Sequence, residues 1–332
     1  MKRILAVTPA LTGAGYHQRV GMFIGPLKER GFLVEPIQYP GFLERFWFLP
    51  RVHTYDAVWV VRKMLDPFSA GILRRNSLPV VFDFDDAIMV RSREQRGSFR
   101  SRSREWKFSR TLRAVDAVMA GSRYLADLAR AINPRVHVVP TGVDVRSYSV
   151  KNHDEASESP VRLVWIGSDT TLRFLLSQHA LFRRITQIWP EVRLRIICNR
   201  FPEWEDVPLE KIVWSPGIER RALVESDIGI SPMPDTPFTR GKCGLKLIQF
   251  MATGLPVVTT PVGSHTEIVE DAINGFLAEG EEEWLKAIGR LVEDRALRKR
   301  LGLAGRKRVE ERYDVTVLLE VIASVFASLT TP

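Results

Sequence analysis

Short, almost wholly apolar segments recur along the chain and predict twelve β-strands. They lie at residues 3–9, 32–39, 56–62, 79–86, 116–122, 136–142, 161–168, 192–199, 211–217, 227–233, 256–263 and 275–278. The segments between them, such as 20–31 and 122–134, have the periodicity of amphipathic helices that end at Gly or Pro. Strands that are apolar on both faces and alternate with helices predict parallel sheets covered by helices on both sides.

The strand–helix rhythm occurs twice, which predicts two domains. We expect an α/β fold in which two Rossmann-like, doubly wound parallel-sheet domains, residues 1–155 and 156–312, face a central cleft. The polar stretch SVKNHDEASESP at 149–160 has the composition of an exposed linker between them. A length of 332 residues fits two domains on general grounds as well.

Composition narrows the class of protein. With 45% hydrophobic and 26% charged residues, the sequence is that of an ordinary globular protein. Two cysteines exclude a disulfide framework and favour a reducing compartment, and no spacing typical of a metal site occurs. The opening MKRILAVTPAL predicts a strand rather than a signal peptide, and no run of 18 apolar residues occurs, so we expect a cytoplasmic protein.

Positive charge is concentrated in one stretch. The net charge is +9, and residues 91–113 hold eight Arg and one Lys against two Glu. Phe99, Trp106 and Phe108 lie among these charges. The pattern suits an anionic membrane surface, a phosphorylated acceptor or nucleic acid, and it equally suits a solvated loop. Nucleic acid is disfavoured because no helix-turn-helix or zinc-finger pattern is present.

Candidate binding residues follow the predicted strands, because ligands of doubly wound sheets bind beyond the carboxyl ends of the strands. Small residues there allow phosphates to approach backbone N–H groups. No GxGxxG follows the first strand, which disfavours a nicotinamide cofactor. The candidates are Gly13, Gly15, Asp83, Asp85, Asp86, Gly167, Ser168, Pro216, Gly217, Asp235 and Gly263.

The three aspartates within four residues are the candidate general bases. Their mutual repulsion is expected to raise the pKa of one carboxyl, and Asp85 or Asp86 is the favoured functional residue. The alternatives are contacts to acceptor hydroxyls or capping of the next helix. His17 and Arg19, which follow the first strand, are placed to reach the same cleft as Asp83. Ser264 to Glu267, around His265, has the form of a structural capping box.

The stretch GKCGLKLIQFMATGLPVVTTPVG, residues 241–263, places Lys242, Lys246 and Gln249 at i, i+4 and i+7. If the segment is helical, these side chains share one face. Two ammonium groups near a helix start suit a diphosphate, and the amide suits the vicinal hydroxyls of a ribose. The alternative is an amphipathic helix whose lysines face water.

Residues 227–278 resemble the nucleotide-sugar-binding region of the retaining GT-B glycosyltransferases of family 4. The MATGLPVV core at 251–258 matches the family pattern Glu-Ala-Met-Ala-x-Gly-x-Pro-Val-Val in its second half. VVPTGVD at 138–144 resembles the end of the family's first domain, and VFDFDDAIMV at 81–90 resembles one branch of the family. ERYDVTVLLEVIASVF is similar to the family's C-terminal helix, which implies that 313–332 crosses back to the first domain.

The two glutamates of the family motif are replaced by Gly241 and Gln249. The sequence instead resembles branches with Lys-x-x-x-Lys-x-x-Glu or Gln, which implies that Lys246 binds the diphosphate and Gln249 the ribose. Asp235 or backbone N–H groups around Lys242 are left to contact the donor sugar. The remaining donor-site candidates in this stretch are Cys243, which we expect to be a packing residue, Gly244 and Leu245.

The resemblance implies a retaining, metal-independent glycosyltransferase of polysaccharide or lipopolysaccharide biosynthesis. Its co-substrate would be a UDP- or GDP-linked sugar, with no other cofactor, and its acceptor a cell-envelope glycan or glycolipid. Asp85, Asp86 and Lys246 are the expected catalytic residues, and the basic stretch would hold the protein at the inner face of the cytoplasmic membrane. The alternative is a GT-B scaffold that lacks activity and binds nucleotide sugars or assembly partners. The expected acceptor-side residues are Gly13, Gly15, His17, Arg19 and Asp83.

Overall fold

A computed structural model describes residues 1–41, 49–75, 78–154 and 160–330. All twelve predicted strands are present: Lys2–Thr8 (β1), Phe32–Gln38 (β2), Ala57–Val61 (β3), Val80–Phe84 (β4), Ala117–Ala120 (β5), Val136–Val138 (β6), Arg162–Ile166 (β7), Arg193–Cys198 (β8), Leu209–Val213 (β9), Ile228–Ser231 (β10), Val257–Thr259 (β11) and Gly275–Leu277 (β12). The predicted strand 211–217 ends early, at Val213. Pro216 is the first residue of a helix there. Proline is well tolerated at this position, because the N–H that it lacks would have no hydrogen-bond partner within the helix.

Helices fill the intervals between the strands. They span Ala14–Arg19 (α1), Ile24–Glu29 (α2), Pro67–Arg75 (α3), Arg102–Ala114 (α4), Arg123–Arg130 (α5), Asp169–Leu176 (α6), His179–Ile188 (α7), Pro216–Val224 (α8), Pro237–Arg240 (α9), Leu245–Ala252 (α10), His265–Ile268 (α11), Gly280–Glu293 (α12), Arg295–Arg312 (α13) and Val315–Thr330 (α14). Short 3₁₀ turns lie at Gly21–Phe23, Leu49–Thr54 and Val145–Ser147. No helix within the described ranges is long and apolar enough to cross a membrane.

The strands form two six-stranded sheets, and every strand pair in them is parallel. The first has the order β2-β1-β3-β4-β5-β6 and the second β12-β11-β10-β7-β8-β9. In each sheet the order reverses direction beside the first strand of that half, which is the arrangement of a doubly wound sheet. The predicted fold class is confirmed.

The chain folds into two compact units. The first unit comprises Met1–Gly142, Thr236–Cys243 and Val315–Pro332, and the second unit comprises Val143–Asp235 and Gly244–Asp314. The chain therefore passes between the units at 142/143, 235/236, 243/244 and 314/315. The sequence predicted only two boundaries, 155/156 and 312/313, and placed residues 236–243 in the second domain. The predicted linker, 149–160, lies partly outside the described residues.

Both faces of the first sheet are buried, as the apolar strands predict. Leu5 and Val7 of β1 belong to one core cluster, whereas Ile4 and Ala6, which alternate with them, belong to another. The second of these clusters is completed by α14, whose Phe326 packs edge-on against the Trp59 ring at 5.4 Å between centroids. The C-terminal helix is thus part of the core of the first unit.

The second unit is built in the same way. One core cluster lies between its sheet and helices α7 and α12, and the other lies against α10. Helix α10 is buried along most of its length, with Leu247, Ile248 and Phe250 fully enclosed. Leu245 and Lys246, in the first turn of α10, are partly exposed, and the first turn is therefore the most accessible part of this helix.

Candidate functional site

Helix α10 begins at Leu245, because Gly244 before it has the left-handed backbone angle φ +66°. Lys242 therefore lies outside the helix. The prediction that Lys242, Lys246 and Gln249 share one helix face is wrong for Lys242, since glycine at 244 permits the chain to turn there. Gly244 is also tightly packed on one side, because a Cβ at this position would lie 2.3 Å from Ile268 Cδ1.

Lys242 belongs to the first unit and is paired there. Its Nζ lies 2.8 Å from the Asp86 carboxylate and 4.3 Å from the centroid of the Phe238 ring. An ammonium group that is ion-paired and half-buried has less charge to offer a diphosphate. The same ion pair occupies the Asp86 carboxylate, which the sequence proposed as a functional group.

Lys246, in the first turn of α10, belongs to the second unit. Its Nζ lies 4.1 Å from the centroid of the buried Trp165 ring and 3.5 Å from Thr171 Oγ1. The ring presents its electron-rich face to the ammonium group, an arrangement that stabilises a desolvated cation. The ring contact fixes the aliphatic part of the Lys246 side chain. The ammonium charge is thereby held at the N-terminal end of α10, where the first backbone N–H groups have no partner within the helix.

Thr171 is in the first turn of α6, so two helix starts meet at the Lys246 ammonium group. Ser168 caps α6, and Ser168 and Thr171 form a capping box. Gly167 is required by packing, because a Cβ there would lie 2.4 Å from the Trp165 ring. We call Trp165, Gly167, Ser168, Thr171 and Lys246 the Lys246 site. Its ammonium group and the N–H groups of two helix starts suit an anion such as a phosphate.

Gln249, one turn further along α10, is buried in a polar cluster. Its Nε2 donates to Glu219 Oε1 and, at 3.3 Å, to Tyr148 Oη. The other oxygen of Glu219 accepts from Trp214 Nε1. Burial raises the pKa of the Glu219 carboxyl although Trp214 donates to it, and burial raises the pKa of Tyr148 to about 12.

The remaining donor-side candidates lie in two helices and one loop of the second unit. Pro216 and Gly217 begin α8 instead of ending a strand. They therefore belong to the helix that carries Glu219, the partner of Gln249. Asp235 is exposed at the end of the loop after β10, and Leu245 is the first residue of α10.

Asp83 and Arg19 form a buried ion pair in the first unit. Asp83 Oδ1 accepts from Arg19 Nε at 2.9 Å, and Oδ2 accepts from Trp59 Nε1 at 3.0 Å. Arg19 also donates to the carbonyl oxygen of Val139 at 2.7 Å. The side chains of Arg19 and Asp83 are 2% and 0% exposed, so the prediction that they contact an acceptor is wrong. Burial raises the pKa of Asp83.

Asp85 is held by Arg62, whose Nε and Nη2 donate to the two carboxylate oxygens. Burial acts to raise the pKa of Asp85, but the Arg62 guanidinium outweighs it and the pKa is lowered. The prediction that repulsion produces a general base with a raised pKa is wrong for this residue. Arg62 adopts a left-handed backbone angle, φ +55°, which is uncommon for a residue with a side chain and fixes its position.

Cys243 lies behind the aspartates. Its Sγ is 3.1 Å from the Asp85 carbonyl oxygen, and burial raises its pKa well above the usual range. The thiol is therefore a packing group, as expected. Gly121 is needed beside it, because a Cβ there would lie 2.5 Å from the sulfur.

The glycines and histidine after β1 lie around α1. Gly13 caps α1 with φ +85°, and His17 is exposed on that helix. Gly15 makes room for Arg62, because a Cβ on Gly15 would lie 2.2 Å from Arg62 Nη1. Gly15 thus supports the Arg62–Asp85 pair, whereas Gly13 and His17 of the acceptor-side set are exposed.

His265 is buried and structural. Its Nδ1 lies 2.6 Å from Thr259 Oγ1 and 3.2 Å from the Thr260 carbonyl oxygen. Burial lowers its pKa to about 4. The predicted capping box at Ser264 is absent, since Ser264 is itself helical in backbone angle and makes no capping hydrogen bond with its side chain.

Sequence reasoning missed several residues of the site. Trp165 and Arg62 lie within or just after strands and look like ordinary core positions. Tyr148, Trp214 and Glu219 are remote from Gln249 in sequence and meet it only in the folded second unit. A tryptophan two residues before the candidate loop at 167–168 is the signal that could have indicated an aromatic support.

Comparison with known proteins shows which class of protein this chain resembles in sequence and in fold. Residues 3–147 match the model of "Glycosyltransferase Family 4" and residues 158–294 that of "Glycosyl transferases group 1". The chain is 15% identical to a sucrose-phosphate synthase from Thermosynechococcus elongatus, with a TM-score of 0.73 over 99% of both chains. It is 16% identical to Anabaena HepE, solved in complex with UDP, with a TM-score of 0.71 over 99% of this chain and 100% of that one. The fold is that of the GT-B glycosyltransferases.

The curated relatives agree with this class. A D-inositol 3-phosphate glycosyltransferase from Xylanimonas cellulosilytica is 26% identical over 242 residues, which are 65% of this chain and 58% of that protein. The chain therefore spans little more than half of that relative's length. With both halves matched by glycosyltransferase models, the protein belongs to the family 4-like glycosyltransferases of GT-B fold.

Proposed function

We propose that the protein transfers a sugar from a UDP- or GDP-linked donor to a cell-envelope glycan or glycolipid, with retention of configuration and without a metal ion. The observation that carries this proposal is the position of Lys246 Nζ, 3.5 Å from Thr171 in the first turn of α6. A donor diphosphate bound there would receive an ammonium charge and backbone N–H groups from two helix starts. The UDP complex of HepE, a protein of the same fold, supports a nucleotide ligand.

The chemistry proposed for the Lys246 site is stabilisation of the leaving group. As the bond from the sugar to the diphosphate breaks, negative charge grows on the diphosphate, so a fixed cation stabilises the transition state more than the ground state. Trp165 holds the ammonium group in place before substrate arrives, so little reorganisation is needed. Removal of one such group typically costs about 10²–10³-fold in kcat.

Lys246→Ala tests the donor site. We expect wild-type protein to bind UDP or GDP in calorimetry, and nucleotide at 100 times its Kd to add about 2.7 kcal/mol of stability in thermal unfolding. The variant should bind about 10- to 100-fold more weakly, the cost of a charged hydrogen bond. Lys286→Ala removes an exposed lysine of the same unit and should bind normally. Failure of wild-type protein to bind either nucleotide, or unchanged binding by Lys246→Ala, would refute the proposal.

A second candidate is a nucleotide-sugar-binding scaffold without transferase activity. It is favoured by the absence of both motif glutamates and by the pairing of Asp85 with Arg62 and of Asp86 with Lys242. Both candidates predict nucleotide binding, so only a measurement of turnover distinguishes them. Release of UDP or GDP from nucleotide sugars above the rate without protein, lost in Lys246→Ala, would exclude the scaffold.

We also propose that helix α4 docks on anionic lipid, near a lipid-linked acceptor. Trp106 is 52% exposed on α4, and the Arg110 guanidinium lies 5.1 Å from the centroid of its ring. An exposed indole surrounded by basic side chains fits the boundary between headgroups and acyl chains. The other exposed basic residues of the helix are Arg102, Arg104, Lys107 and Arg113.

Vesicle sedimentation tests this surface. Wild-type protein should bind phosphatidylglycerol vesicles and not phosphatidylcholine vesicles, and the binding should weaken as salt rises. Replacement of Arg102, Arg104 and Arg110 by serine should lower the affinity about 100-fold, at roughly 1 kcal/mol per charge. Lys286→Ala serves as the single-charge control. Equal binding to both kinds of vesicle, or tighter binding to DNA than to lipid, would contradict the proposal.

A further inference from the structure

The hydrogen bonds of Gln249 assign its amide orientation. The amide nitrogen of Gln249 faces Glu219 Oε1 and donates a hydrogen bond to it, as a carboxylate oxygen can accept. That nitrogen has two hydrogens, and the second is directed to Tyr148 Oη at 3.3 Å. Trp214 Nε1 donates to the other Glu219 oxygen, which keeps the carboxylate itself from turning. Both donors of the Gln249 amide are therefore used within the second unit.

The carbonyl oxygen of Gln249 remains available. Oε1 accepts no hydrogen bond from the described residues, and it is not fully enclosed by the protein. A carbonyl oxygen has two lone pairs and can accept from two hydroxyl groups at once. Toward a ligand, Gln249 thus presents what a carboxylate would present, namely an acceptor without a donor.

We propose that Glu219 is a positioning residue that fixes Gln249 as an acceptor for the ribose hydroxyl groups of the nucleoside diphosphate. The inference rests on the proposed function, because it concerns the same ligand. Without Glu219, the Gln249 amide is free to rotate by 180° and to present its NH₂ group instead. The carboxylate at 219 and the amide at 249 together replace a single glutamate at 249.

Isosteric exchange of the two residues tests the proposal. In Glu219→Gln, the new amide oxygen must face Trp214, so its NH₂ faces position 249 and turns the Gln249 carbonyl away from the ligand. In Gln249→Glu, two carboxylates face each other and repel. In the double variant, the new carboxylate at position 249 would accept from the new amide at position 219 and would again present an acceptor outward. The double variant should therefore recover what each single variant loses.

The readout is discrimination between hydroxylated and deoxygenated ligands. Calorimetry gives the Kd of UDP, GDP and their 2′-deoxy and 3′-deoxy analogues. Wild-type protein should prefer the parent nucleotide about tenfold over at least one deoxy analogue, the effect of one hydrogen bond. Glu219→Gln should bring that ratio close to one, and the double variant should restore it. A merely structural loss would weaken binding of parent and analogue equally and leave the ratio unchanged.

Glu225→Gln is the matched control, because it removes a carboxylate directly after the same helix, where Glu225 pairs with Arg221 at the surface and, at 3.7 Å, with Arg195, and is not among the residues that contact Gln249. Its nucleotide preference should equal that of wild-type protein. An unchanged ratio in Glu219→Gln, or a double variant no better than the single ones, would overturn the inference. Binding that requires Lys246 but ignores Glu219 overturns this inference alone, whereas wild-type protein that binds neither nucleotide overturns the proposed function as well.

Discussion

Gly241 lies directly against Ala87 in the first unit. A Cβ built on Gly241 would be 2.5 Å from the Ala87 Cβ and 3.0 Å from the Ala87 backbone nitrogen. The resemblance of residues 227–278 to family 4 implies that Gly241 occupies the position of the first glutamate of the family motif. In this protein a side chain at position 241 would collide with Ala87 unless the loop after β4 moved. The packing of the first unit is therefore incompatible with a glutamate at position 241.

Substitution of Gly241 by alanine should therefore destabilise the protein. We expect a loss of about 1–3 kcal/mol of unfolding free energy, the usual cost of overpacking a well-filled site. Denaturant unfolding with a common slope for both proteins measures it. Gly217→Ala is the control, because nothing lies within 4 Å of a Cβ there and the position is helical. Ala87→Gly in the Gly241→Ala background should recover part of the loss, and strict additivity of the two changes would contradict the contact.

The Arg19–Asp83 pair should be the most costly ion pair to break in the first unit. Asp83→Asn leaves a buried guanidinium without its counter-charge, and we expect a loss of about 3–5 kcal/mol in urea unfolding. Glu320→Gln breaks an exposed pair with Arg30 in the same unit and should cost less than about 1 kcal/mol. Similar losses in the two variants would show that burial of the Asp83 carboxylate is not what makes the pair important.

Both thiols should be unreactive in the native protein. Cys198 and Cys243 are buried, and the raised pKa of Cys243 leaves little thiolate at neutral pH. A colorimetric thiol reagent at pH 8 should therefore find no fast-reacting cysteine before denaturation and two after it. Ser103→Cys, at an exposed position of α4, supplies a reference thiol that should react at once. Rapid modification of native wild-type protein would contradict the packing role of Cys243.

The fold was predictable because its signal is local. The inner strands of both sheets are apolar on both faces, so each has a signature that does not depend on its partner. The edge strand β9, LEKIV, is half-exposed, and its predicted bounds were the least accurate. The loop at 167–168 was proposed because ligands of parallel sheets bind beyond the ends of the strands, whereas Lys246 was proposed from helical spacing and from the family resemblance, and both roles remain predictions. The start of α10 was not predictable, because glycine at 244 permits a left-handed turn but does not impose one.

The partners of the charged residues were not predictable either. Lys242 and Asp86 are 156 positions apart, and Arg19 and Asp83 are 64 apart. Which of three neighbouring aspartates has a raised pKa depends on which arginine reaches it and how deeply it is buried. Those quantities are properties of the tertiary structure, so the acid cluster looked like a catalytic group when it is largely held in ion pairs.

The buried His265 should make the second unit sensitive to acid. Burial lowers its pKa to about 4, against an ordinary value near 6.5 in the unfolded chain, and the nearby Lys246 charge acts in the same direction. The unfolded state therefore binds a proton at a higher pH than the folded state. The contribution of the neutral histidine to stability is complete above pH 6.5 and is lost progressively as the pH falls toward 4.

Between about pH 7.5 and pH 5, this one group should lower the free energy of unfolding by about 2 kcal/mol. His265→Gln removes the titrating group, and an amide can still donate to the Thr260 carbonyl oxygen. The variant should be less stable at about pH 7.5 but should lose about 2 kcal/mol less than wild-type protein on acidification. The lowered pKa values of His137 and His153 affect both proteins alike and cancel in this difference. Parallel pH profiles for the two proteins would show that His265 is not held neutral by the fold.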